Sequence, residues 1–113
     1  MSGLTTHVLD LALGRPARGI RVRLERHIGA GGWAAVAERV TDDDGRVRDF
    51  LGGAQLASGR YQMTFGTGDY FRARGESPFH PEVPVIFEVD DPAQHYHVPL
   101  LLSAFGYSTY RGS

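Results

Sequence analysis

A period of two dominates the chain. In "LTTHVLD", Leu4, Thr6 and Val8 fall on one face of an extended segment, and Thr5, His7 and Leu9 on the other. In "GIRVRLERH", Ile20, Val22 and Leu24 alternate with Arg21, Arg23 and Glu25. Such alternation marks a strand with one face in a core. "WAAVAERV" follows the turn "IGAGG" and is predicted to be the hairpin partner of that strand. Tyr61, Met63 and Phe65 are in phase in "LASGRYQMTFG", as are Val83, Val85, Phe87 and Val89 in "EVPVIFEVD". "HYHVPLLLSAF" and "YSTYRGS" read as two arms of a last hairpin around Gly106. "RVRDF" is a short extended piece, and "LGRPARG", "TDDDGRV" and "DDPAQ" carry turn chemistry. "PFHPEVP" is a proline-rich loop leading into an edge strand, and "TGDYFRARG" is the only stretch predicted helical. Seven or eight short strands with one short helix predict an all-β, two-sheet sandwich.

The 113 residues predict a single domain, 1–113, with a modest core. A formal net charge of −1 gives no electrostatic reason to expect nucleic acid or an anionic membrane as partner. The absence of cysteine excludes disulfides, thiol catalysis and cysteine metal sites. A small domain without such staples gains stability by oligomerising. "MSGLTTHVLD" lacks a basic stretch followed by a long apolar one, and no apolar run spans a bilayer, so a soluble cytoplasmic protein is expected.

Several polar residues are candidates for chemistry. "TDDDGR" resembles a calcium loop, but Val40 and Leu51 occupy positions that need ligands, so an exposed aspartate-rich turn is expected. His95 and His97 share one strand face. They read as surface residues, as an acid–base pair, or, with His7, as zinc ligands. His7 alone within a strand reads as structural, and His27 and His80 receive no role. Arg46 reads either as a solvated cation or as a fixed donor to a carbonyl or oxyanion. Ser113 would fray in an ordinary tail, but Tyr107, Thr109, Tyr110 and Arg111 favour a docked strand. "GTGDYFRARG" lacks the spacing and lysine of a phosphate-binding loop.

Three stretches taken together, "LTTHVLD" with "GRPA", "TDDDGR", and "HYHVPLLLS" with "GYSTYRGS", resemble the 5-hydroxyisourate hydrolases, the enzyme branch of the transthyretin-like proteins. The resemblance spans residues 4–113. The terminal "YRGS" is the tetrapeptide that separates that branch from the hormone-carrying transthyretins. It implies a sandwich of eight strands with one short helix. It further implies a homotetramer, a dimer of dimers, with active sites in the channel between dimers. By motif, the implied catalytic residues are His7, Arg46, His97 and Ser113. Arg46, Tyr110, Arg111 and Ser113 are the implied substrate-binding residues, and His95 is not carried over. Ala104 after "LLLS", the "PFHP" segment and "LALG" depart from the family pattern without touching these positions.

The implied substrate is 5-hydroxyisourate, whose cyclic amide is hydrolysed to OHCU, with no cofactor or metal. The chemistry needs a base for water, a cation for the oxyanion and a proton for the leaving nitrogen. His7 and His97 are expected close together with Arg46 beside them. One histidine is expected to be the base and the other, or Ser113, to protonate the leaving nitrogen, with either assignment of the two histidines open. Ser113 is expected to position substrate rather than act as a nucleophile, because a chain end is a poor mount for one. Three alternatives remain: a non-enzymatic small-ligand carrier on the same fold, a zinc hydrolase built on His7, His95 and His97, and a plain interaction module.

Overall fold

A computed structural model describes residues 3–113. The strands are β1 (Gly3–Asp10), β2 (Arg15–Pro16), β3 (Arg21–Gly29), β4 (Gly32–Val40) and β5 (Arg46–Val47), then β6 (Gly59–Phe65), β7 (Val83–Val89), β8 (His95–Leu102) and β9 (Tyr107–Thr109). One helix, α1 (Thr67–Arg72), lies between β6 and β7. These form two sheets, as the alternating pattern predicts. One has the order β4-β3-β6-β7; the other has β2-β1-β8-β9, with β5 also on β1. Two strands have only two residues each and fall in segments read as a turn and as a short extended piece.

β1 organises the second sheet. It runs parallel to β8 along its whole length, from Gly3 opposite His95 to Asp10 opposite Leu102. β5 and β2 therefore share its other edge, at Thr6–His7 and Leu9–Asp10 respectively. Leu4, Thr6, Val8 and Asp10 face the core, while Thr5, His7 and Leu9 lie half-buried on the outer face. Along β8, Tyr96, Val98, Leu100 and Leu102 are buried, which leaves His95 and His97 on the same outer face. The apolar faces of both sheets meet in a core that includes Leu24, Phe50, Met63, Phe65, Phe71 and Leu100. Among the described residues, no helix is long and apolar enough to cross a membrane.

The last hairpin turns at Gly106, whose carbonyl accepts from the Ser103 backbone N–H (3.0 Å) and hydroxyl (3.1 Å). Its second arm is shorter than the sequence predicts, because strand pairing stops at Thr109. The next partner in register on β8 is Pro99, which has no N–H to donate. The Thr109 hydroxyl instead donates to the Pro99 carbonyl at 2.7 Å. Two residues further, in the same register, pairing resumes as a single bridge between Gly112 and His97.

Helix α1 has no side-chain cap at its N-terminus. It is tied down by buried Phe71 and by a polar cluster on Asp10, whose side chain is wholly inaccessible. The Asp10 carboxylate accepts from the Tyr70 hydroxyl (2.7 Å), the Arg74 guanidinium (2.5 Å) and the Leu13 N–H (3.1 Å). Burial pushes the Asp10 pKa up, but the bonds from Tyr70, Arg74 and Leu13 outweigh it and hold the carboxyl below its ordinary value. Burial and the Asp10 bond push Tyr70 up to about 12. A hydrogen bond to a charged group contributes about 1.5–3 kcal/mol. Tyr70→Phe should therefore lower the unfolding free energy by about that amount at pH 7. A urea titration showing no shift in midpoint would refute this reading of the cluster.

Candidate active site

The outer face of β1, β5 and β8 carries most of the polar residues that the sequence singles out. A cavity of about 320 Å³ opens there, lined by Thr5, Thr6, Arg46, Val47, Arg48, His95, His97 and Ser113. Arg46, His97 and Ser113 thus border one space, although they come from β5, β8 and the tail. His7 is not among the lining residues. It pairs with Arg46 across β1 and β5, and it lies two residues along β1 from Thr5, the direct neighbour of His97.

Each side chain is held by local chemistry. Asp42 organises the loop that delivers Arg46: its Oδ1 accepts from the N–H groups of Asp44 (2.9 Å) and Arg46 (3.0 Å). This is an Asx turn, and it explains the aspartate-rich motif without a bound cation. Gly45 closes the turn at φ +73°, with its carbonyl accepting from the Val8 N–H at 2.7 Å. A Cβ at Gly45 would collide with the Val8 carbonyl. Arg48 is neutralised by ion pairs with Asp42 and Asp44. Arg46 has no carboxylate partner among the described residues, so its charge is available to the cavity.

His97 is half-buried, and its Nδ1 lies 2.7 Å from the Thr5 hydroxyl oxygen. The same oxygen lies 2.9 Å from Nε2 of exposed His95. Burial is the main force lowering the His97 pKa, followed by the charges of Arg46, His7 and His95, against an opposing hydrogen bond from the ring to the Thr5 backbone. Burial and then Arg46 also lower His7, while Asp44 acts in the opposite direction. Both rings are therefore held neutral at pH 7. Among the described residues, no three His, Cys, Asp or Glu side chains converge into a group that could hold a metal ion. The three-histidine zinc alternative requires that convergence.

Across the tail, the Gly112 N–H donates to the His97 carbonyl at 2.9 Å. A Cβ at Gly112 would overlap Cδ2 of the His97 ring, so glycine is what allows the tail to lie against the imidazole. Tyr110 and Arg111 take a different direction from Ser113. They line a second, more apolar cavity of about 330 Å³ with Val85, Phe87, Tyr96 and His97, which borders both. There, Arg111 lies over the Tyr96 ring at 4.5 Å and donates to the Gln94 side-chain oxygen at 2.9 Å.

Comparison with known proteins matches residues 4–112 to the model of the HIUase/Transthyretin family. The chain belongs to that family. It is 50% identical to the 5-hydroxyisourate hydrolase of Caulobacter vibrioides, with the whole of both chains covered. Among solved structures, the Klebsiella pneumoniae 5-hydroxyisourate hydrolase superposes with a TM-score of 0.88 at 38% identity, covering 99% of this chain and 100% of that one. Transthyretin from Sparus aurata superposes with a TM-score of 0.91 at 32% identity, covering 99% and 97%. Fold similarity does not separate the two branches of the HIUase/Transthyretin family, but sequence identity favours the hydrolases. The chain is an enzyme, a hydrolase, on the strength of relatives so named over its full length.

Sequence reasoning missed Thr5 and left His95 out of the site. The "HYH" spacing put both histidines on one face, but only the β1–β8 register shows which residue stands opposite them. The Gly112 contact generates a prediction. In Gly112→Ala the added methyl must displace either the tail or the ring. The His97 imidazole resonances should shift while the chain stays folded; unchanged resonances would mean that the tail does not touch the ring.

Proposed function

We propose that this chain hydrolyses 5-hydroxyisourate, opening its cyclic amide to give OHCU in urate degradation. The observation that carries this reading is the shared cavity of Arg46, His97 and Ser113 in a chain matched end to end by 5-hydroxyisourate hydrolases. In the proposed reaction, neutral His97 takes a proton from water through Nε2. The hydroxide oxygen bonds to the amide carbonyl carbon, and the electron pair moves onto the carbonyl oxygen. Arg46, free of any carboxylate, stabilises that oxyanion. When the oxyanion collapses, the C–N bond breaks and the nitrogen takes the proton held by His97; the carboxylic acid so formed gives its proton to water, leaving a carboxylate and a ureido group. Ser113 positions the substrate. His7 raises the cost of charging His97 and is the second candidate to move a proton. Tyr110 and Arg111, which share the second cavity with His97, fix the course of the tail. The mechanism calls for no cofactor or metal.

We further infer a cytoplasmic homotetramer, a dimer of dimers, in which the outer face of β1 and β8 is covered by another subunit. Sedimentation should then give about four times the chain mass of 12.4 kDa; a monomer at working concentration would contradict it.

Ring-opening kinetics on freshly made 5-hydroxyisourate test the function. The wild-type chain should consume it faster than the spontaneous reaction, and Arg46→Ala should lower kcat by about 100- to 1000-fold. An Arg46→Ala protein as fast as wild type would remove the oxyanion role. The pH profile follows from the lowered pKa of His97. The ring stays basic down to below the ordinary imidazole value of 6.5, and activity is lost only as pH falls through that depressed value. An acid limb centred above pH 6.5 would oppose His97 as the base.

A further inference from the structure

The tandem threonines of β1 do two different jobs. Thr6 faces inward, and its hydroxyl donates to the Val98 carbonyl at 2.5 Å. Thr5 faces outward, directly opposite His97 in the parallel ladder. Its hydroxyl oxygen is 2.7 Å from His97 Nδ1 and 2.9 Å from His95 Nε2. A hydroxyl has one proton to give and two lone pairs. It cannot donate to both rings, so at least one of those two nitrogens carries a hydrogen.

Two glycines hold the rings in place around this oxygen. Gly112 leaves room for the face of His97, as described above. Gly3, paired with His95, leaves room for the other ring: a Cβ there would come within 3.2 Å of His95 Nδ1. The two rings also differ in environment. His97 is half-buried and close to the Arg46 charge, whereas His95 is exposed at the rim. A positive charge on His97 is opposed by its neighbours; the same charge on His95 is solvated.

We propose that Thr5 is a positioning residue that holds His97 with its proton on Nδ1 and Nε2 bare, and links it to His95 as a temporary store for the proton taken from water. This deepens the hydrolase reading and rests on it. At rest, His97 Nδ1–H donates to Thr5, and Thr5 donates to His95 Nε2. When His97 Nε2 takes a proton from water, the Nδ1 proton moves to the Thr5 oxygen as the Thr5 proton moves to His95 Nε2. One N–H and one O–H bond break, and one O–H and one N–H bond form. The positive charge has moved from His97 to His95. His97 is then neutral with its proton on Nε2, and it gives that proton to the departing nitrogen as its Nδ1 regains one from Thr5. As it does so, the two transfers reverse and the resting tautomers return.

Thr5→Val keeps the shape and removes the hydroxyl; Thr5→Ser keeps the hydroxyl. In Thr5→Val, kcat should fall by about 10- to 100-fold, within what general acid–base transfer contributes, with KM changed by less than about threefold. Thr5→Ser should recover most of the loss. A Thr5→Val protein with wild-type kcat, or Val and Ser variants equally slow, would overturn the proposal. A second measurement does not need turnover. Nitrogen-15 spectra of the neutral histidines should show His97 protonated on Nδ1 in the wild type and a mixture of tautomers in Thr5→Val. A wild-type His97 protonated on Nε2 would also overturn it. If the wild type does not accelerate loss of 5-hydroxyisourate, the hydrolase reading fails, and the tautomer spectra still decide whether Thr5 sets the ring.

Discussion

The site depends on the register between β1 and β8. Side chains alternate along a strand, so a slip of one residue would exchange the two faces. His95 and His97 would turn into the core, and Tyr96 and Val98 toward water. The core prevents this. Leu4, Val8, Tyr96, Val98, Leu100 and Leu102 are all buried in the observed register, and each buried aliphatic side chain contributes about 1.5–3 kcal/mol relative to exposure. The outward placement of Thr5, His95 and His97 is the complement of that inward packing. The chemistry on one face is held by hydrophobic burial on the other.

Electrostatic selection operates within the same small area. Two arginines two residues apart project from β5 and the loop after it, yet only one retains a free charge. Asp42 and Asp44 neutralise Arg48, while Asp42 holds the Arg46 backbone and leaves its side chain alone. Three aspartates in a row look like a metal loop, but two of them, Asp42 and Asp44, work as a mount: they fix one guanidinium by its backbone and occupy the other. Burial, and after it this free cation, keeps the neighbouring imidazoles neutral, which suits a base.

Much of this was legible from the residues. Alternation in "LTTHVLD", "GIRVRLERH" and "EVPVIFEVD" gave the strands and their buried faces, because a half-buried strand has no other stable pattern. "TGDYFRARG" was the one stretch read as helical, and α1 lies within it. The two-residue strands were not legible, since Arg15–Pro16 and Arg46–Val47 have no room for a period. The break at Tyr110 was hidden as well. It arises from a proline on the opposite strand, and only the pairing reveals that they meet. Arg46, His97 and Ser113 could be proposed as a set through family resemblance, but not from spacing. Thr5 carries no signal in one dimension, because a threonine between a leucine and a threonine reads as strand filler.

The parallel pairing of β1 and β8 has a cost in time. Thr5 and His97 are 92 positions apart, and joining them requires closing a loop that contains nearly the whole chain. Folds dominated by such distant pairings form slowly. During synthesis, β1 leaves the ribosome before β8 and must wait for the strands between them before its main partner exists. Until then one of its long edges is unpaired, an invitation to the wrong neighbour. The polar outer face of β1, with Thr5 and His7, makes that wait safer, so the same side chains that flank the finished cavity also shield the unfinished chain.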